Sequence, residues 1–209
     1  RGRAEAALPD FTEMRVLTQP LPPYPTVADV AAARGVHPIR LILDMAAETD
    51  LAQIFLRPTM SFAEDDILPL LTHPQSVMTF SDSGAHIGYI ADSLIQTYLL
   101  AHWVRTLKAF SLEEAVRMIT SVPAAIWGFA DRGILRPGFV ADINVFDPET
   151  IAPTMPTVEF DLPAGAGRFV QRATGIKATI LGGEVTFENG EHTGALPGRL
   201  LRSQHTLRT

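Results

Sequence analysis

The alternation of apolar and polar positions leaves the first residues without a clear element, through the proline-rich stretch TQPLPPYP (18–25). The first helical pattern is VADVAAAR (27–34), with Thr26 and Asp29 spaced as a helix start and Gly35 placed to end it. Pro38 suits the first turn of a second helix, PIRLILDMAAE (38–48), with Ile39, Ile42 and Met45 on one stripe. AQIFLR (52–57), closed by Pro58, reads as a short strand. Ser61 and Glu64 have the spacing of a capping box and open a helix over AEDDILPLLTH (63–73), which Pro69 shortens or kinks. SVMTFS (76–81) is apolar on both faces, as strands buried in parallel sheets are, so 52–81 reads as a βαβ unit.

Farther along, Asp92–Leu107 has the pattern of a long helix with Ile95, Leu99 and His102 or Trp103 turned inward. Ser111 and Glu114 cap another, in which Leu112, Ala115, Val116 and Ile119 recur at i, i+3, i+4 and i+7. Pro123 begins a short helix ending at Gly128. Beyond Asp131 the period changes from helical to alternating: in RPGFVADINVFD, Ile143 and Val145 face one way, Asp142 and Asn144 the other. Gly182-Gly183 and Asn189-Gly190 are hairpin turns between β-rich runs, so Phe139–Asp147 and Gly175–Glu188 are expected to pair in one sheet. Leu162–Gly167 is a loop. The expected organisation is α/β material over 1–130 and β material over 131–209.

Composition narrows the possible functions. The chain has 209 residues, 46% of them hydrophobic, enough for a real core. A net charge of −6 argues against nucleic acid, whose phosphates require a basic face. The absence of cysteine removes disulfides and thiolate metal sites. No apolar run approaches the ~18 residues of a membrane span, and a cytoplasmic protein is expected. With no initiator Met and no first element, RGRAEAALPD reads as a chain entered partway.

Candidate chemistry concentrates in VMTFSDSGAHIG (77–88). Asp82 follows an apolar run, where the loops of α/β folds gather their active sites. A carboxylate there can bind a metal or exchange a proton with a hydrolytic water. It is equally a turn former bonding its own backbone. Ser81 and Ser83 lack the G-x-S-x-G elbow of a nucleophile, and hydroxyls beside a carboxylate more often donate to it. His86 is a candidate for substrate contact or for orienting Asp82, or is simply solvated. The remaining histidines (37, 73, 102, 192 and 205) form neither H-x-H nor H-E-x-x-H. Glu64–Asp66 lie in a first helical turn, where acidic side chains complement the dipole.

SDSGAHIG, YLLAHWVR, the block SLEEAVRMITSVPAAIWGFADRGILRPGFVADINVFDPETI and GGEVTFENGEHTGALPGRLLR together resemble the C-terminal part of an amidohydrolase-superfamily enzyme, nearest the N-acyl-D-amino-acid deacylases. The resemblance runs from Thr26 onward. It implies the C-terminal portion of a metal-dependent (β/α)8 barrel, with AQIFLR and SVMTFS as its seventh and eighth strands, followed by part of a small β-sandwich. It implies a zinc-dependent hydrolase acting on the carbon–nitrogen bond of a small-molecule N-acyl amino acid. Asp82 would then be both metal contact and proton shuttle, and Ser83 and His86 would contact substrate. The family's H-x-H pair is absent from these residues, so the chain is expected to be a fragment, inactive alone. A cyclic amide substrate of the hydantoinase or dihydroorotase type, and a non-catalytic interaction module, are the competing readings.

Overall fold

The computed structural model describes residues 9–57, 63–91 and 93–202. The chain divides into two compact units, residues 1–72 and 73–209.

In the first unit, helix α1 (Val27–Arg34) starts where Thr26 Oγ1 accepts the Asp29 N–H at 2.9 Å. It ends at Gly35, whose left-handed φ of 66° lets the Gly35 and Val36 N–H groups reach back to the carbonyls of Ala32 and Ala31. Helix α2 (Pro38–Glu48) is capped by His37, whose Nδ1 accepts the Ile39 N–H. Val27, Ala31, Leu41 and Met45 are buried with Val16, and Phe11, Met14, Val30, Ile42 and Phe55 pack around them. Of the stripe expected on α2, Met45 is buried and Ile42 packs against the core, while Ile39 is corrected: it is exposed, and Leu41 faces the core one turn before Met45. Strand β1 (Arg15–Val16) pairs antiparallel with β2 (Phe55–Leu56). Helix α3 (Glu64–Thr72) forms with Pro69 inside it, and its proposed cap Ser61 lies outside the described residues.

The βαβ expectation for 52–81 is not met. Its first strand pairs antiparallel with Arg15–Val16, a segment the apolar pattern left unassigned, and residues 76–81 form no strand. A strand is held by ladder hydrogen bonds to a neighbour, and no described segment supplies them to 76–81. Every strand pair among the described residues is antiparallel.

In the second unit, α4 (Ile95–Tyr98) runs into a π-helical segment, Leu99–Thr106. Its wider winding shows where the Leu107 N–H donates to the His102 carbonyl, five residues back, at 2.8 Å. Leu99, Leu100, Ala101, His102 and Trp103 are buried in succession, so the first part of the segment is enclosed on all sides, and exposure returns by Thr106. Helix α5 (Leu112–Ile119) has Ser111 Oγ accepting the Glu114 N–H, as the spacing predicted, and α6 (Ser121–Ile126) follows. Helix α5 packs against the π segment.

Strands β3 (Ile143–Phe146), β4 (Ala152–Pro153), β5 (Thr157–Glu159), β6 (Arg168–Val170), β7 (Ala173–Thr174), β8 (Ile176–Leu181), β9 (Glu184–Glu188) and β10 (Glu191–His192) make up the rest. They build a four-stranded antiparallel sheet in the order β10-β9-β8-β3 and two ribbons, β4–β7 and β5–β6. The pairing of β3 with β8 is the one expected, and the two hairpin turns sit at Gly182-Gly183 and Asn189-Gly190, all four at positive φ. A bulge between Val145 and Phe146 corrects the alternation: Ile143 and Phe146 are half-buried, whereas Val145 is turned outward. No described helix is long and apolar enough to cross a membrane.

Candidate functional site

The segment that carries Asp82 is a chain of turns. The Ala85 N–H donates to the Asp82 carbonyl at 2.9 Å, and the N–H groups of Tyr89 and Ile90 both reach the His86 carbonyl, at 2.9 and 3.1 Å. Gly84 has φ +93° and His86 φ +49°, so the chain turns through the left-handed region twice in three residues. The His86 ring stacks on Tyr89, centroids 5.1 Å apart and planes 15° from parallel. An aromatic three positions on was the signal for this partner, which the sequence reading missed.

Asp82, Ser83 and His86 are all exposed. Asp82 therefore stands on a solvent-exposed turn, not at the end of the strand expected over 76–81. Ser83 does not hold it in place either, since the Ser83 N–H donates to Ser81 Oγ at 3.2 Å. The structure brings Asp82, Ser83 and His86 together on one loop but not into one hydrogen-bonded constellation.

Outside this loop the described histidines, His37, His73, His102 and His192, serve structure. His37 caps α2, His73 Nδ1 accepts the Gln75 N–H, and His192 Nδ1 accepts the Gly194 N–H with its ring against Phe187. The buried His102 lies against the rings of Tyr98 and Trp103. Among the described residues no three His, Asp or Glu side chains converge as metal ligands.

The block PAAIWGFADRGILRPGFVADI (123–143) is a structural clip. Arg132 bonds the carboxylates of Asp131 and Asp142, and Asp142 Oδ1 also accepts the Gly182 N–H at 2.8 Å. Gly133, at φ +85°, sits where a Cβ would lie 2.7 Å from the Ala124 methyl. This is why the motif pairs an alanine, a glycine and charges at such spacing: it locks the segment after α6 onto the β8–β9 turn.

The amidohydrolase family matches residues 4–187. The chain belongs to the amidohydrolase family. Within the family it is 38% identical over 103 residues, 49% of this chain and 19% of the relative, to a D-aminoacylase of Alcaligenes xylosoxydans xylosoxydans. It is 29% identical over 204 residues, 96% of this chain and 34% of the relative, to an N-acyl-D-aspartate deacylase of the same organism. Among solved structures it resembles a D-aminoacylase variant in complex with copper chloride, at TM-score 0.53 and 27% identity, over 90% of this chain and 37% of that one. The chain thus spans about a third or less of the length of these amidohydrolase relatives. Membership supports hydrolysis of an amide bond as the family's chemistry. The 123–143 block maintains the fold and is joined to the Asp82 loop by no described hydrogen bond.

Proposed function

We propose that this chain carries the proton-transferring aspartate of an enzyme that hydrolyses the acyl–nitrogen bond of an N-acyl-D-amino acid. The observation that carries the reading is similarity to an N-acyl-D-aspartate deacylase along 96% of the chain. Under the same reading residues 1–130 contribute to a (β/α)8 barrel and residues 131–209 to a smaller β domain.

Asp82 is the residue assigned to the chemistry. Its carboxylate, open to solvent at the turn, takes a proton from the attacking water while the water oxygen bonds the acyl carbon. As the carbon–nitrogen bond breaks, the same oxygen returns the proton to the departing amine, so a carboxylic acid and a free amine leave. His86, stacked on Tyr89, and the Ser83 hydroxyl are assigned to contact the substrate's polar groups. Zinc is the cofactor expected of such a hydrolase, but a catalytic zinc takes three protein ligands, and the described residues gather no such set. These residues alone do not fit the metal, and no step is derived through it.

The test is Asp82→Asn in the enzyme carrying these residues, assayed on N-acyl-D-amino acids beside hydantoin and dihydroorotate. Turnover should fall by about 10²–10⁴-fold, because an amide cannot accept the water's proton. Wild-type turnover in the variant refutes the assignment, and preference for the cyclic amides moves the substrate to that class.

A further inference from the structure

Hydrogen bonds of the 81–90 segment among the described residues stay within four positions, with one exception. The Phe169 N–H donates to the Ile87 carbonyl at 2.9 Å, joining residues 82 positions apart in sequence (169 − 87 = 82). Phe169 is the middle residue of β6, opposite Val158 of β5. In an antiparallel pair the residues of a non-hydrogen-bonded couple point their N–H groups away from each other's strand. The Phe169 N–H, spent on Ile87, is therefore the one that the hairpin does not need for itself. The Asp82 loop occupies the open edge of β6.

The hairpin is built to offer that edge in a defined place. Arg168 holds Asp161 through two parallel hydrogen bonds of 2.8 Å each, across the loop that joins β5 to β6. Gly167 lies where a Cβ would meet the Phe160 ring at 3.0 Å and Val158 at 3.1 Å, so the loop closes tightly on the strand before it. A single hydrogen bond into a closed hairpin is a firmer anchor than one into a free loop, because less disorder must be lost to form it.

We propose that the Thr157–Val170 hairpin is the positioning element for the Asp82 loop, acting through the Phe169 N–H, which fixes Ile87 and with it the placement of His86 and Asp82 during turnover. This rests on the functional reading above. Phe169 touches no reacting atom; it is a positioning residue.

Phe169→Pro deletes the N–H and keeps an extended backbone at an edge position where no ladder bond is lost. Phe169→Ala keeps the N–H and removes the ring. In the enzyme carrying these residues, Phe169→Pro should lower kcat on an N-acyl-D-amino acid by about 10–100-fold, the scale of a misplaced catalytic group. Phe169→Ala should stay within a few-fold of wild type. Amide hydrogen exchange gives an activity-independent readout: residues 83–90 should exchange faster in Phe169→Pro and at the wild-type rate in Phe169→Ala. Should the proline variant fail to fold, Arg168→Ala, which opens the hairpin by freeing Asp161, should raise exchange of the same residues in milder form. Equal kinetics and exchange in the two Phe169 variants, or unchanged loop exchange in Arg168→Ala, overturns the tether. Faster loop exchange with undiminished turnover upholds the tether and overturns its part in catalysis. The functional reading fails separately, if Asp82→Asn retains turnover.

Discussion

The guanidinium of Arg132 bonds the carboxylate of Asp142, ten positions away, with both side chains largely covered at 15% and 24% exposure. Its Nε meets Asp131 at 3.0 Å in the same stroke, and Asp142 passes the connection on to the Gly182 amide in the β8–β9 turn. A planar fork with fixed donor directions suits this bridging, which a lysine cannot reproduce.

Arg132→Ala should therefore destabilise the chain by about 1–3 kcal/mol, since it leaves two half-covered carboxylates without their cation. Arg117→Ala, which breaks a solvent-exposed i,i+3 pair with Glu114, should cost much less, because water screens that pair. Chemical denaturation of the two variants side by side checks the contrast; equal losses would mean the bridge holds nothing.

Gly175 gives a second test of packing. At φ +80°, with a Cβ that would fall 2.5 Å from the backbone of Ile151, it has room for hydrogen only. Gly175→Ala should cost about 2–4 kcal/mol, from backbone strain and overlap together. Gly182→Ala meets nothing within 4 Å at φ +60° and should cost about 1 kcal/mol. A shift in the unfolding midpoint that ranks Gly182 above Gly175 contradicts the geometry.

Burial pushes the Tyr24 phenol up to about 12, and its hydroxyl donates to the Pro20 carbonyl at 3.1 Å. A group whose pKa is raised by folding contributes stability that is whole below its unfolded value and is lost as the pH climbs through the folded one. Here the window runs from the ordinary tyrosine value of about 10 up to about 12. Ultraviolet titration of wild type against Tyr24→Phe should show one tyrosine ionising late, and the stability difference between them should shrink across that range. Ionisation of all three tyrosines near their ordinary value would exclude the burial effect.

The purified 209-residue chain should carry zinc at well under one ion per chain, because no three ligands converge among its described residues. Elemental analysis after dialysis against zinc decides the matter, and a stoichiometric, tightly held ion would show that the site is complete within the chain.

Local codes were legible in the sequence. Thr26, His37-Pro38 and Ser111 set helix starts, Gly35 sets a helix end, and Gly182-Gly183 and Asn189-Gly190 set hairpins, because each acts through bonds to backbone a few residues away. The family was legible too, through the 123–143 block, whose charges and glycines are tied to one another at short range. Tertiary structure alone decided the rest. An apolar run such as 76–81 becomes a strand only if a neighbour offers its ladder, and no described segment does, so Asp82 stands on a solvent-facing turn. One bulge turned Val145 outward in place of Phe146. The bond from Phe169 to Ile87 joins two segments whose patterns contain no trace of each other, because a backbone donor and a backbone acceptor are the same atoms in every residue.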